Sequence, residues 1–371
     1  MASIVHHLTQ GNVIFAEREP FKLECGGELS PVTIRYAIFG EPNAVGDNVV
    51  LVCHALSGSA RVDQWWPELF APGGALANER WCVVCTNILG SCYGSTGPGL
   101  VDPSTGRPHG ADFPVVTISD TVRAQAHVLT ALGIDHIRAV IGASIGGMQA
   151  LEWAIRYPER VDDCVAIAAA PLSPLGLALN HVQRLAIESA VDERSGLRLA
   201  RALAMCTYKS AELFSERYGR KPNRAGDEPW SSPSGRFDVA GYLDHQGRIF
   251  QDRFDGASYA AITRAMDLWD PEHEHGPAAY ERVAARVSLV GISSDWLFPA
   301  EDVRTLATKL RNSGCDCTYT EIQSAHGHDA FLAEPQHVNT LLNAILHEPA
   351  ARPGTAFAAF ASQEEQNGTT R

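Results

Sequence analysis

The chain has 371 residues, 45% of them hydrophobic and 20% charged, long enough for one large domain with an insertion or for two domains sharing a core. Its 30 Lys and Arg against 43 Asp and Glu leave a net charge of −13, which repels a phosphate backbone over most of the surface and argues against a nucleic-acid partner. No window reaches the roughly 18 consecutive apolar residues of a membrane helix, and the opening MASIVHHLTQGNVIFAER lacks the basic and apolar regions of a signal peptide, so a cytoplasmic protein without a membrane partner is expected.

Along the chain, short apolar runs alternate with longer helical patterns, the signature of a mostly parallel sheet with helices on both faces. Strands are predicted over Val49 to Cys53, Cys82 to Thr86, Ile137 to Ile141, Cys164 to Ala168, Val287 to Ile292 and Cys317 to Ile322. Ser119 or Asp120 is expected to cap a helix that buries Val122, Ala126 and Leu129 and stops near Gly133. A second helix is expected from Gly146 to about Tyr157, ended by Pro158. From Leu172 to Ala285 there are helical stretches and polar loops without a buried strand, which reads as a helical cap. The expected division is therefore a core of 1–171 and 286–347, a cap of 172–285, and a disordered tail of 348–371 whose small, polar residues carry no pattern. The nine cysteines, an odd number, fit reduced thiols better than a disulfide framework, and Cys82 and Cys85 lie in an apolar run that reads as a buried strand.

Gly142-Ala143-Ser144-Ile145-Gly146 sits between a predicted strand and a predicted helix. A sharp strand-to-helix turn needs small neighbours and leaves the Ser144 hydroxyl exposed at the end of the sheet, with the Ile145 N–H at a helix N-terminus where developing negative charge is stabilised. A serine hydroxyl needs a base, and the base needs an orienting carboxylate; in this arrangement they follow later in the order acid, then histidine. The strand at Val287 leads into Asp295, and the strand at Cys317 leads into both His326 and His328, between which spacing does not decide. The second oxyanion donor is expected at the Leu56 N–H, in the loop His54-Ala55-Leu56-Ser57-Gly58 after an early strand. His54 is read as a structural hydrogen-bonding residue, Cys92 as a loop-packing residue rather than a rival nucleophile, and DPEHEHG, with His273 and His275, as a loop without a metal. In the cap, an arginine of GLRLAR is a candidate for bidentate contact with a substrate carboxylate, with Tyr208 close after it.

The blocks CHALSG, WWPELFAPGGAL, TNILGSCYGSTGP, TISDTVRAQAHVLTALGI, GASIGGMQALEWAIRYPERV, YLDHQGRIFQDRFDGASYAAITRAMDLWD, SSDWLFP and GHDAFL resemble the homoserine O-acetyltransferase family, acyltransferases of methionine biosynthesis on the α/β-hydrolase fold. The resemblance runs from about Phe21 to Leu346. It implies Ser144 as nucleophile, Asp295 as orienting acid and His328 as base, Arg201 holding the substrate carboxylate and Asp329 its ammonium, with Tyr208 as a further substrate-binding residue. It also implies acetyl-CoA and L-homoserine as substrates, no tightly bound cofactor, and a homodimer. The chain departs from the family at Ala143 and Ile145, the latter usually methionine, and in a shortened segment between Asn180 and Gly196. Leu297-Phe298-Pro299 stands where related succinyltransferases carry an arginine, which favours acetyl over succinyl as the transferred group. Serine as acceptor, a succinyl donor and a plain serine esterase are the rival readings.

Overall fold

In the computed structural model the described residues are 8–349 apart from 44–45, 78–79, 104 and 224–227, with residue 111 described by its backbone alone. Eight strands form one sheet: β1 (Leu8–Phe15), β2 (Val32–Phe39), β3 (Val49–Cys53), β4 (Cys82–Thr86), β5 (Ile137–Ala143), β6 (Val161–Ile167), β7 (Arg286–Ile292) and β8 (Cys317–Ile322). Their spatial order is β1-β2-β4-β3-β5-β6-β7-β8. β2 pairs antiparallel with both β1 and β4, and from β4 to β8 the neighbours run parallel. This is the α/β-hydrolase fold expected from the sequence.

The central strands are apolar along their whole length because both sheet faces are covered. On one face Leu51, Val84, Val140, Cys164 and Leu289 meet three helices, α1 (Ile118–Ala131), α2 (Ile145–Arg156) and, after the acid loop, one over Ala300–Asn312. On the other, Val50, Val83, Ile141, Val165 and Val290 meet Trp66, Phe331 and the last helix, Pro335–His347, through Val338, Leu342 and Ile345. Alternation of side chains along each strand divides the two cores.

Several boundaries differ from expectation: β5 runs on to Ala143 rather than ending at Ile141, β7 opens at Arg286 rather than Val287, and α2 opens at Ile145 rather than Gly146. β6 starts at Val161 rather than Cys164, because Asp162 and Asp163 lie inside the strand and are paired there: Asp162 with His136 at 3.1 Å, Asp163 with Arg286 at 2.7 Å and with the buried Arg138. It also ends at Ile167, since Ala168 takes a positive φ of 47°. The cap of α1 is Thr117, not Ser119 or Asp120: the Asp120 N–H donates to Thr117 Oγ1 at 3.0 Å while the Asp120 carboxylate accepts the Thr117 N–H at 3.0 Å, a reciprocal capping box. Ser119 instead donates to Glu152 Oε1 at 2.9 Å.

Between β6 and β7 the chain leaves the sheet through α3 (Pro174–Glu188), α4 (Glu193–Thr207), α5 (Asp238–Phe250) and α6 (Gly256–Leu268). Among the described residues this stretch holds no strand, only an isolated bridge between Pro222 and Phe237. Leu197, Ala200, Phe250, Tyr259 and Ile262 join the core on the α1–α2 face, where α6 packs against α1. The DPEHEHG segment is a helix over Pro271–His275, not a loop, since the Asp270 carboxylate accepts the N–H groups of Glu272 and His273 at 3.0 and 3.3 Å. No helix among the described residues is long and apolar enough to cross a membrane. The tail expected to be disordered from Glu348 lies, from residue 350 onward, outside the described residues.

Candidate active site

Ser144 joins β5 to α2 at φ 57° and ψ −130°, a left-handed conformation that costs a non-glycine residue energy and persists only where the surroundings enforce it. Here they do. A Cβ at Gly142 would collide with the Gly146 carbonyl, and a Cβ at Gly146 would collide with the Cys53 carbonyl, so strand, turn and helix meet at distances only glycine permits. The Ser144 N–H is anchored to the Ile167 carbonyl at 2.9 Å. Ile145 opens α2, and its N–H is one of the four at a helix start that have no acceptor in the helix.

The loops after β7 and β8 bring two more side chains to this turn. His328 Nε2 lies 2.8 Å from Ser144 Oγ, and His328 Nδ1 lies 2.6 Å from Asp295 Oδ2. The other Asp295 oxygen accepts the N–H groups of Leu297 and Phe298 at 2.9 and 3.0 Å, which locks the carboxylate toward the imidazole. All three residues are buried. Phe298 stacks on the imidazole at 5.3 Å and Phe331 meets it edge-on at 5.7 Å. Burial disfavours the charged ring, but the Asp295 carboxylate and its hydrogen bond, with Asp329 behind them, outweigh that and raise the His328 pKa above its ordinary 6.5. His326, the competing histidine, does not line the cavity over Ser144, and its buried Nδ1 has no hydrogen-bond partner among the described residues.

That cavity measures about 460 Å³ and is lined by Leu56, Ser144, Arg201, Tyr208, His328 and Asp329, which the sequence had singled out. The Arg201 guanidinium lies 4.6 Å from the Phe250 ring centre and 5.5 Å from that of Tyr208, and its buried Nε has no hydrogen-bond partner among the described residues. Tyr208 tilts against His328 at 5.5 Å. Asp329 is already engaged, its Oδ2 2.9 Å from Lys209 Nζ. Sequence reading missed Lys209, although it adjoins Tyr208, and Arg253, which lines the same cavity and donates to the Ser57 carbonyl and the Tyr93 hydroxyl, both at 2.8 Å. The available signal for Arg253 is its place in RIFQDRFDGASY, a segment of the block that resembles the family.

The other candidates fall to structural work. Cys92 bonds the Arg253 carbonyl through its Sγ at 3.7 Å, and burial, with Asp255 nearby, pushes its thiol up to about 12, far from a reactive thiolate. Cys82 and Cys85 are buried in β4, and all nine cysteines are free. His275, expected without neighbours of its kind, instead meets Glu152 and Glu274. Its Nε2 lies 2.9 Å from Glu152 Oε1, which ties the Pro271–His275 helix to α2, and Arg156 donates to the same oxygen at 3.0 Å and so offsets the Glu152 charge.

The family model for the α/β-hydrolase fold matches residues 48–335. Over 353 residues the chain is 42% identical to the homoserine O-acetyltransferase of Symbiobacterium thermophilum, covering 89% of this chain and 92% of that one. It is 41% identical over 340 residues to the homoserine O-succinyltransferase of Alkalilimnicola ehrlichii, covering 85% and 88%. Among solved structures, homoserine O-acetyltransferase from Bacillus anthracis superposes with a TM-score of 0.82 at 24% identity, over 92% of this chain and 98% of that one, a likeness of fold. With the fold, the strained serine and homoserine O-acetyltransferase relatives 40 and 42% identical over 88 and 89% of the chain, this protein belongs to the homoserine O-acetyltransferase family.

Proposed function

We propose that the protein transfers an acetyl group from acetyl-CoA to the side-chain hydroxyl of L-homoserine through an acyl-serine intermediate. The observation that carries this reading is the unbroken relay from Asp295 through His328 to the Ser144 hydroxyl, at 2.6 and 2.8 Å, beneath a cavity that also holds an arginine and an aspartate. Ser144 Oγ attacks the thioester carbon as His328 Nε2 takes its proton; the oxyanion is held by the N–H groups of Leu56 and Ile145; the C–S bond breaks and the thiolate receives the proton from His328. The homoserine hydroxyl then gives its proton to the same imidazole and attacks the acyl carbon; the bond from that carbon to Ser144 Oγ breaks, and Oγ leaves with the proton from His328. No metal or tightly bound cofactor enters the scheme.

A zwitterionic acceptor needs a cation and an anion beside its hydroxyl. The orphaned Nε of Arg201 suits the carboxylate, with the Tyr208 ring supporting the guanidinium. Asp329 suits the ammonium, which would share that carboxylate with Lys209. The helical excursion of 172–285 acts as a cap that keeps water from the acyl-enzyme, which separates a transferase from an esterase. Succinyl transfer is a second reading, supported by the Alkalilimnicola relative and by Arg253, a second guanidinium lining the cavity. Incubation with acetyl-CoA or succinyl-CoA, each with homoserine or serine, followed by CoA release, tests all four pairings; acetyl-CoA with homoserine is expected to be fastest.

We place this activity in methionine biosynthesis and in the cytoplasm. Leu175, Val182 and Leu185 form an exposed apolar stripe on the outer face of α3, which supports a homodimer built through the cap. Sedimentation of wild type against Val182→Glu tests it, with a dimer that weakens in the variant as the expected result.

A further inference from the structure

Resting on the reading of Ser144 as an acylated nucleophile, we propose that His54 is a positioning residue for the oxyanion hole: its imidazole fixes the Ala55 carbonyl and thereby aims the Leu56 N–H into the cavity. The Ala55 carbonyl and the Leu56 N–H belong to one peptide unit, and that unit is trans. In a trans peptide the C=O and N–H point in opposite directions, so whatever holds one orients the other. Two donors hold the carbonyl, His54 Nδ1 at 2.8 Å and the Gly58 N–H at 2.8 Å. The Leu56 N–H has no acceptor among the described residues, and Ala55 and Leu56 line the cavity with Ser144 and His328.

The ring is held to one tautomer. Its Nε2 receives the Ile88 N–H at 3.1 Å, and a backbone N–H only donates, so the ring proton sits on Nδ1 facing Ala55. His54 is fully buried, which pushes its pKa down to about 4 and keeps it neutral across the working range, unlike His328. Gly58 completes the device: a Cβ there would lie 2.9 Å from His54 Cβ and 3.2 Å from both His54 Nδ1 and the Ala55 oxygen, crowding the bond. The His54 carbonyl also receives the Gln149 amide from α2 at 3.5 Å, which ties the loop to the helix whose first N–H is the other donor.

Two substitutions separate the two ring nitrogens. His54→Asn leaves an amide N–H near the Nδ1 position and loses the acceptor for Ile88; His54→Gln leaves an acceptor near Nε2 and loses the donor to Ala55. Rates are measured per folded protein, by rapid quench and intact mass, for acetyl-enzyme formation from acetyl-CoA and for its discharge by homoserine. H54Q is expected to slow both half-reactions alike, by at least about tenfold and up to the roughly 10²–10³-fold that loss of a donor costs, with donor KM little changed. H54N is expected to recover most of the rate although its melting temperature falls. The inference is overturned if H54Q stays within about twofold of wild type, if H54N is as slow as H54Q, or if one half-reaction alone suffers. Should H54Q fail to fold, Gly58→Ala replaces it, with slowing of both half-reactions expected and an unchanged rate overturning the inference. A wild type that never acetylates Ser144 sinks the parent reading as well, whereas a wild type that acetylates beside an unimpaired H54Q sinks this inference alone.

Discussion

Ser144 Oγ and His328 Nε2 stand 2.8 Å apart although 184 positions separate the two residues in the chain. The contact is possible because the turn after β5 and the loop after β8 open at the same edge of the sheet, and it makes the serine the first group to test. Mixing the protein with acetyl-CoA without an amino acid should give one acetyl adduct by intact mass. Ser144→Ala should give none, and an adduct persisting there would remove Ser144 from the role of nucleophile.

The two histidines of the last loop should separate cleanly. His328→Ala is expected to lower kcat/KM by about 10²–10⁴-fold or more, the range of a lost general base. His326→Ala should keep most of the activity, since its ring does not line the cavity. Steady-state kinetics on both variants decides, and the reverse ranking would assign the base to His326.

Asp295 sets the pH range of the reaction. It stabilises the protonated imidazole and so raises the His328 pKa above 6.5, yet only the neutral ring accepts the Ser144 proton. Activity should therefore be full above that raised pKa and fall as pH drops through it. Asp295→Asn removes the charge, so the acid limb should move to lower pH while the plateau rate falls sharply, as the tautomer and the imidazolium lose their support. A kcat/KM profile whose acid limb stays in place would show that another group titrates.

Arg201→Lys keeps the charge and loses the planar fork. Transfer to homoserine should weaken by about 1.5–3 kcal/mol in transition-state stabilisation, the worth of one hydrogen bond to a charged group. Formation of the acetyl-enzyme should be nearly untouched, because the amino acid is absent from that step. Equal damage to both half-reactions, followed separately, would make Arg201 a structural or donor-binding residue.

Gly146→Ala tests the packing beneath the serine. The new methyl would press on the Cys53 carbonyl, which belongs to β3 and does not yield as a flexible side chain would. Thermal unfolding should report a loss of about 1–3 kcal/mol, the usual cost of overpacking, and acetylation of Ser144 should slow because the turn shifts. A variant with wild-type melting and rate would show that the turn has slack.

Much of this was legible before any coordinates. β3 and β4 begin and end where expected because strands covered on both faces are apolar throughout, whereas β8, CTYTEI at the far edge of the sheet, keeps its expected bounds with an alternating burial pattern. The serine turn was legible for the same local reason: small residues between a strand pattern and a helix pattern leave few alternatives. β1 and β2 were not foreseen, since β1 is an edge strand with a mixed burial pattern that a short window does not distinguish from loop. β6 was clipped because Asp162 and Asp163 read as the end of a strand until Arg138, Arg286 and His136 arrive from elsewhere to pair them.

By itself the sequence determined the central strands, the sheet class and the serine turn, all of which follow from side-chain periodicity and backbone sterics over a few neighbouring residues. Spacing left His326 and His328 open and only the family resemblance implied His328, whereas tertiary structure alone decided that Asp329 meets Lys209, that Arg253 reaches the cavity, and that His275 belongs to Glu152. Those pairings join residues far apart in the chain, and their geometry is set by how separate loops and helices close over the sheet, which no local pattern encodes.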